Sequence, residues 1–134
     1  MYLLDTNAIS ELRKQRPHGA VLAWFNAQSR STLALPSVVI YELHSGANRT
    51  RNQDPIKAAE IELWIKHICQ SFTVLPFGIA EARVTASFMD KKASDLLPDA
   101  MVAATAATYD LTVATRNTRD FVNFPVRLLN PFTN

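Results

Sequence analysis

Hydrophobic residues follow two alternating spacings along the chain. Five short apolar runs, each bounded by proline, aspartate or other polar residues, have the pattern of strands that are buried on both faces. They lie at residues 2–5, 31–36, 72–76, 111–115 and 126–129. The segments between them are longer and repeat apolar residues at helical spacing. This alternation predicts an α/β fold with a mainly parallel sheet of about five strands and helices on both faces.

The clearest helix is predicted after Asp54 and Pro55, a pair that favours a helix start. Its apolar residues follow the i, i+3, i+4, i+7, i+11 spacing of one helix face: Ile61, Trp64, Ile65, Ile68 and Phe72. A second helix is predicted with Ser37 as its N-cap, and a third over residues 78–94. The segment 48–55 is interpreted as an ordinary connection.

An alanine-rich helix is predicted ahead of the fourth strand. Pro98 disfavours a helical conformation at Leu97, so this helix is expected to begin with Asp99 at or next to its N-cap. Its small side chains require neighbouring elements to pack closely against it.

Composition narrows the class of protein. A length of 134 residues is typical of one domain, which we expect over residues 1–134. Cys69 is the only cysteine, which excludes an intrachain disulfide and cysteine-based zinc sites. The sequence shows no signal-peptide pattern and no apolar run of membrane-spanning length, so we expect a cytoplasmic protein with no membrane partner. The formal charge of +2 does not by itself indicate nucleic-acid binding.

Acidic residues from four distant parts of the chain are expected to meet. Asp5 ends the first predicted strand, and Glu42 lies early in the helix after the second. Asp99 opens the alanine-rich helix, and Asp120 follows the fourth strand. Ligands of a parallel sheet gather at the carboxyl ends of its strands. We therefore predict that these four acids form one cluster at that edge.

Each acid also has a purely structural interpretation. Asp5 and Asp99 can act as helix N-caps. Glu42 can lie on a helix surface, and Asp120 can belong to a turn. The convergence of all four favours a functional site instead, because independent capping or surface roles do not require distant acids to share one edge.

Clustered carboxylates need compensation. Two of them about 5 Å apart repel by roughly 3 kcal/mol at an effective dielectric of about 20, so a cluster of four requires a cation or protonation. Oxygen ligands without a histidine or cysteine pattern suit Mg²⁺ or Mn²⁺. A hard divalent ion held by carboxylates is suited to phosphodiester hydrolysis.

Four segments, taken in order, resemble the PIN-domain family and, within it, the VapC-type toxins of bacterial toxin–antitoxin pairs. They are LLDTN, YELHSGA, PDAMVAATA and TVATRNTRDF, from residue 3 to residue 121, and the closing LLNPF is also similar to that family. The resemblance covers essentially the whole chain. It implies an α/β/α sandwich and a Mg²⁺-dependent endoribonuclease that hydrolyses RNA with metal-activated water, with Mn²⁺ as a possible substitute.

The resemblance also implies roles for individual residues. Asp5, Glu42 and Asp99 match the family's catalytic, metal-binding acids. Asn7 and Thr115 match polar positions that support the site.

The fourth acid is less uniform in the family. Many relatives carry an aspartate where this chain has Asn117, whereas others carry asparagine there and an acid three residues later. We therefore take Asp120 as the fourth catalytic, metal-binding acid and Asn117 as a supporting residue or a ligand through water. Arg116 and Arg119 flank this corner and are candidates to hold RNA phosphates.

The resemblance further implies partners. It predicts a homodimer that binds a VapB-like antitoxin, forms a larger assembly with it, and contacts DNA only through that antitoxin. The alternative function is a catalytically weak, toxin-like subunit that acts mainly by binding an antitoxin or DNA-binding partner in transcriptional regulation.

Two other classes are disfavoured by the residues present. A metal-free ribonuclease needs paired histidines, and nothing ties His18, His44 and His67 together. A receiver-like signalling domain needs a lysine just after a late strand, where this chain has Arg116 and Asn130.

Overall fold

The computed structural model describes residues 1–133 and shows strands alternating with helices. The strands are β1 (Tyr2–Leu4), β2 (Leu33–Pro36), β3 (Thr73–Leu75), β4 (Thr112–Ala114) and β5 (Leu128–Leu129). The helices are α1 (Thr6–Glu11), α2 (Gly19–Asn26), α3 (Ser37–Arg51), α4 (Pro55–Ser71), α5 (Ile79–Phe88), α6 (Leu97–Tyr109) and α7 (Thr118–Phe121). The prediction of an α/β fold is confirmed.

All five strands belong to one parallel sheet in the order β3-β2-β1-β4-β5. The chain builds outward from β1 through β2 to β3 and then crosses to β4 on the other side of β1. This reversal places a crevice at the carboxyl ends of β1 and β4, where ligands of such sheets bind. Leu4 pairs with Ala114, and Asp5 N donates to Ala114 O at 3.0 Å. The residues that follow these two strands therefore lie side by side.

The core is built from the strands and from the small residues of α6. Leu3, Leu35 and Val113 are fully buried in the three central strands. The fully buried apolar residues of α6 are Ala100, Val102, Ala103, Ala104 and Ala106. Their small side chains let α6 approach its neighbours closely and fix the position of its first turn relative to the sheet. Within residues 1–133 no helix is both long and apolar enough to cross a membrane.

Two predicted helix starts differ in the structure. The expected N-cap at Ser37 is wrong, because Pro36 occupies the cap position and Ser37 is the first residue of α3. The extended backbone of Pro36 satisfies the geometry of a cap without a side-chain hydrogen bond. Helix α6 begins at Leu97, and Asp99 is in its first turn rather than at its N-cap. Pro98 is tolerated there because the first turn has no use for its missing N–H.

Other boundaries also shift. Helix α3 continues to Arg51 and α4 begins at Pro55, so only residues 52–54 of the expected connection 48–55 lie outside a helix. Helix α5 ends at Phe88 instead of continuing to residue 94, and Lys91 has a left-handed backbone with φ of 60° that a helix does not allow. Helix α2 has no counterpart among the predicted elements. The predicted start of α4 is confirmed, since Asp54 Oδ1 accepts from Lys57 N at 3.0 Å.

Candidate active site

Asp5 lies at the bottom of the crevice and is only 5% exposed. It is the N-cap of α1, and its Oδ1 accepts from Thr6 N at 2.9 Å. Its Oδ2 accepts from Thr115 Oγ1 at 2.8 Å and from Asn7 Nδ2 at 3.4 Å. Burial raises the pKa of Asp5, and these three hydrogen bonds oppose the rise. Asp5 thus caps a helix, as its structural interpretation predicts, and it also lies at the edge where the cluster is predicted.

Thr115 and Asn7 connect β4 to the start of α1. Asn7 Nδ2 donates to Thr115 Oγ1 at 3.3 Å, and Asn7 Oδ1 accepts from Arg116 N at 2.8 Å. Thr115 is fully buried, and its Oγ1 also accepts from Asn117 N at 3.0 Å. The network holds the chain just after β4 against Asp5. Asn7 and Thr115, two of the three residues that we predicted as supporting, therefore contact an acid of the cluster.

Glu42 reaches the same edge from α3, in the second turn of that helix. It is partly buried, and its Oε1 accepts from Thr6 Oγ1 at 2.8 Å. Burial raises the pKa of Glu42, and the negative charge of Asp5 adds to the rise. Glu42 is therefore close enough to Asp5 for their charges to interact.

Asp99 interacts with all three of the other acids. It is partly buried in the first turn of α6, and the pKa of its carboxyl is raised to about 7. Burial is the largest cause, followed by the negative charges of Asp5, Asp120 and Glu42. The four predicted acids are therefore close enough for their negative charges to interact. Asp120 takes part from an exposed position on α7.

The negative charge of the cluster has no basic partner among residues 1–133. The four salt bridges there involve other acids, namely Glu11, Glu62, Glu60 and Asp110. No three acidic, histidine or cysteine side chains in the described chain already enclose a common point as metal ligands do. The donor set fits a hard divalent cation in its chemistry, because it offers carboxylate oxygens and excess negative charge.

We expect the metal-free protein to lose stability as pH rises from about 4 to about 7, more steeply than the Asp99→Asn variant. Folding raises the pKa of Asp99 from 3.8 to about 7, so the folded state binds more protons in this window. The stabilising contribution is full below about pH 4 and is lost as pH rises through about 7. Thermal melts of both proteins in EDTA across this range provide the measurement. A difference between their melting temperatures that stays constant with pH would contradict the expectation.

Thr6 is a site residue that the sequence analysis missed. Its backbone N–H holds Asp5 and its hydroxyl holds Glu42, so one residue links two acids of the cluster. The sequence signal that could have identified Thr6 was its position directly after Asp5 in the segment LLDTN. A threonine at the first position of a helix can donate to two neighbours at once, one through its backbone N–H and the other through its hydroxyl.

Two other buried acids have partners away from the cluster. Glu11 accepts from Lys14 Nζ at 2.8 Å and from His18 N at 2.9 Å, and the Lys14 hydrogen bond is the main reason that its pKa is lowered. Glu81 accepts from Gly78 N at 2.7 Å at the start of α5. These acids are structural.

The predicted basic and polar residues lie at the rim. Arg116, Asn117, Arg119 and Asp120 line a surface cavity of about 340 Å³ beside the acids. The Arg116 guanidinium carbon is 4.6 Å from the ring centre of Phe132. Asn117 precedes α7, and its side chain makes no capping hydrogen bond.

The three histidines do not form a pair in the structure. His18 caps α2, where its Nδ1 accepts from Ala20 N at 3.2 Å. His44 on α3 and His67 on α4 are both exposed. No arrangement suited to metal-free ribonuclease chemistry results.

Comparison with known proteins gives consistent matches. A family model described as PIN domain matches residues 2–126. The chain is 34% identical to the VapC ribonuclease Y4jK of Sinorhizobium fredii, covering 98% of both sequences. It is 32% identical to the toxin FitB of Neisseria gonorrhoeae, covering 98% of this chain and 99% of that one. The crystal structure of FitAcB from Neisseria gonorrhoeae superposes with a TM-score of 0.86 at 29% identity, covering 100% of both chains.

Proposed function

This chain belongs to the PIN-domain family, and on that premise we propose that it is a Mg²⁺-dependent endoribonuclease toxin that hydrolyses phosphodiester bonds of RNA. One observation carries the proposal. Acids from four distant segments meet at the carboxyl edge of the sheet, where burial first, and then the unbalanced charge of the other three acids, raises the pKa of Asp99 to about 7. Such an arrangement is unfavourable by itself and becomes favourable when a cation binds.

The proposed metal ligands are Asp5, Glu42, Asp99 and Asp120, with Asn117 beside them. When bound, Mg²⁺, or Mn²⁺ in its place, supplies a Lewis acid that activates water for attack on phosphorus and neutralises the charge of the phosphate. The similarity to the VapC ribonuclease Y4jK supports RNA as the substrate.

The supporting residues orient the acids for this task. A carboxylate can accept about four hydrogen bonds. Asp5 accepts three, from Thr6, Asn7 and Thr115, which leaves one position on Oδ1 for a ligand. Glu42 accepts from Thr6 through Oε1, so its Oε2 is available in the same way. Thr6 and Thr115 therefore hold both carboxylates in fixed orientations, with ligand positions left over.

Arg116 and Arg119 are proposed to bind phosphates of the RNA on either side of the cleaved bond. They line the cavity beside Asp120, and both are exposed. Guanidinium groups at this rim can position a strand without reading its sequence. Stacking of Arg116 on Phe132 keeps its guanidinium near the acids.

Cleavage is expected to leave 5′-phosphate and 3′-hydroxyl ends. Water is the attacking group in the proposed reaction, so the RNA 2′-hydroxyl takes no part. The measurement is incubation of total cellular RNA with purified, partner-free protein in Mg²⁺ or Mn²⁺, followed by end-group mapping. EDTA should abolish cleavage. Ends with 2′,3′-cyclic phosphate would contradict the water mechanism.

We also propose that a VapB-like antitoxin neutralises the protein, since a relative is named a toxin and a cell that makes one needs a means of restraint. The protein is expected to be a homodimer that forms a larger assembly with the antitoxin and meets DNA only through it. A monomer by light scattering at micromolar concentration would contradict the dimer. Antitoxin binding without cleavage in any metal would favour the alternative, a partner-binding subunit in transcriptional regulation.

A further inference from the structure

A second cavity, of about 340 Å³, is lined by Glu42 of the cluster and by none of the residues that line the cavity at Arg116. It lies between α1, α3 and α4, and its volume is at the lower end of the range for ligand pockets. At one end are Thr6 and Glu42, which are joined by a hydrogen bond. At the other end are Arg13, Arg49 and Trp64. The cavity therefore extends from the proposed metal site to a basic, aromatic surface.

The two arginines carry positive charge that no acid among residues 1–133 neutralises. Neither Arg13 nor Arg49 takes part in any of the salt bridges there. Both are exposed, and the only side-chain hydrogen bond of Arg49 in the described chain is donated to Ser45 Oγ, at 3.1 Å. Their guanidinium groups are available to an anion such as a phosphate.

Trp64 supplies the aromatic wall of the cavity. It is partly buried on α4 and packs against the core. The guanidinium carbon of Arg13 is 5.9 Å from the centre of its ring. An aromatic face next to a guanidinium group is the combination on which single-stranded nucleic acids stack a base and anchor a phosphate.

Gly46 keeps the cavity open. It lines the cavity from α3 and contributes no side chain. A methyl group there would meet only Arg49 Nη2, at 3.6 Å, which is an ordinary contact. Glycine inside a helix is less favourable than alanine by roughly 1 kcal/mol. Gly46 therefore costs α3 some stability and leaves space in the cavity that a side chain would occupy.

We propose that this cavity is a subsite for one nucleotide of single-stranded RNA next to the cleaved bond. The base stacks on Trp64, and its phosphate binds Arg13 and Arg49. The inference rests on the proposed ribonuclease function, because the cavity begins at Glu42. An unpaired base is required, since a base inside a duplex has no free face for Trp64. Stacking tolerates every base, so the subsite binds RNA without a strong sequence preference.

Fluorescence of Trp64 tests occupancy directly. The chain has two tryptophans, and Trp24→Phe leaves Trp64 as the only tryptophan. A single-stranded RNA decamer titrated in EDTA is expected to quench its emission, because stacking on the ring quenches it and no metal is present for cleavage. A double-stranded RNA of equal length is expected to quench little. Quenching by polyglutamate as strong as by RNA would overturn the proposal and assign the cavity to an acidic protein segment.

Charge removal tests the phosphate contacts. Arg13→Gln with Arg49→Gln is expected to weaken RNA binding at least about tenfold. The slope of log K against log salt should become shallower by about 0.7, since the two arginines bind one phosphate and each neutralised phosphate on a single strand contributes about 0.7. Arg83→Gln is the control, because it removes one exposed charge on α5 outside the cavity. It is expected to leave both the RNA affinity and the salt slope nearly unchanged. Equal effects of the cavity variants and the control would overturn the proposal.

Cleavage assays separate this inference from the proposed function. With Mg²⁺, the double variant is expected to raise KM with kcat little changed, because its residues bind the strand outside the acids. Cleavage by the parent protein that the double variant leaves unaltered would overturn the subsite and leave the ribonuclease intact. RNA quenching of Trp64 without cleavage in any metal would overturn the ribonuclease and leave a single-strand binding site.

Discussion

Replacing Asp99 by asparagine is expected to reduce RNA cleavage by at least about 10³-fold while the protein stays folded. The pKa of Asp99 is raised by burial and by the negative charges of Asp5, Asp120 and Glu42, so its carboxylate interacts with every other acid of the cluster. Asparagine keeps the shape of the side chain but removes the charge that a cation would balance. The measurement is the single-turnover cleavage rate at saturating Mg²⁺.

The fold should gain from the same change in metal-free solution. Removing a carboxylate from a repelling cluster is expected to raise the melting temperature in EDTA and to abolish most of the further increase on adding Mg²⁺. Asp95→Asn is the matched control, because Asp95 is an exposed acid in the 3₁₀ turn just before α6. Wild-type cleavage rates in Asp99→Asn would remove Asp99 from the proposed site.

Replacing Thr115 by valine is expected to lower Mg²⁺ affinity or the cleavage rate by about 10- to 100-fold. Thr115 donates the shortest hydrogen bond that Asp5 receives, at 2.8 Å, and it is fully buried. Valine has the same shape without the hydroxyl, so Asp5 loses a donor that favours its charged form. The pKa of Asp5 should rise further, because burial is then opposed by fewer hydrogen bonds.

Thr105→Val is the control for this variant. Thr105 is also buried, at 1% exposure, but its hydroxyl donates to Met101 O within its own helix at 2.8 Å. Both changes remove one buried hydroxyl, so stability losses should be similar. Magnesium titrations followed by thermal melts measure the difference in affinity. A loss of metal affinity in Thr105→Val as large as in Thr115→Val would show that packing, and not orientation of Asp5, is responsible.

The architecture was predictable because apolar runs and helical spacing alternate strongly. Strands buried on both faces leave continuous hydrophobic runs, and these located all five strands. Helix ends were harder. A cap at Ser37 looks favourable in sequence, yet Pro36 takes that position because the strand leads into the helix with a suitable backbone. Helix α5 ends at Phe88, and the left-handed backbone of Lys91 three residues later is not indicated by its residue type.

The cluster of acids was predictable from topology, since each acid follows or adjoins the carboxyl end of a strand. What sequence could not supply was the connection between them. Thr6 holds Asp5 and Glu42 together only because the register of β1 and β2 brings α1 beside α3. The stacking of Arg116 on Phe132 likewise depends on how the chain after β5 packs, for which no local pattern exists.

The hydrogen bond between Thr115 and Asp5 joins residues that are 110 positions apart. Protein synthesis proceeds at roughly 5 to 20 residues per second. Asp5 is therefore added to the chain about 5 to 20 seconds before Thr115. A nascent chain that has not reached Thr115 carries Asp5 and Glu42 without the hydrogen bond from Thr115 to Asp5 and without Asp120. For the proposed ribonuclease, the translating ribosome is thus not exposed to a working enzyme until the last elements of its own product have been made and folded.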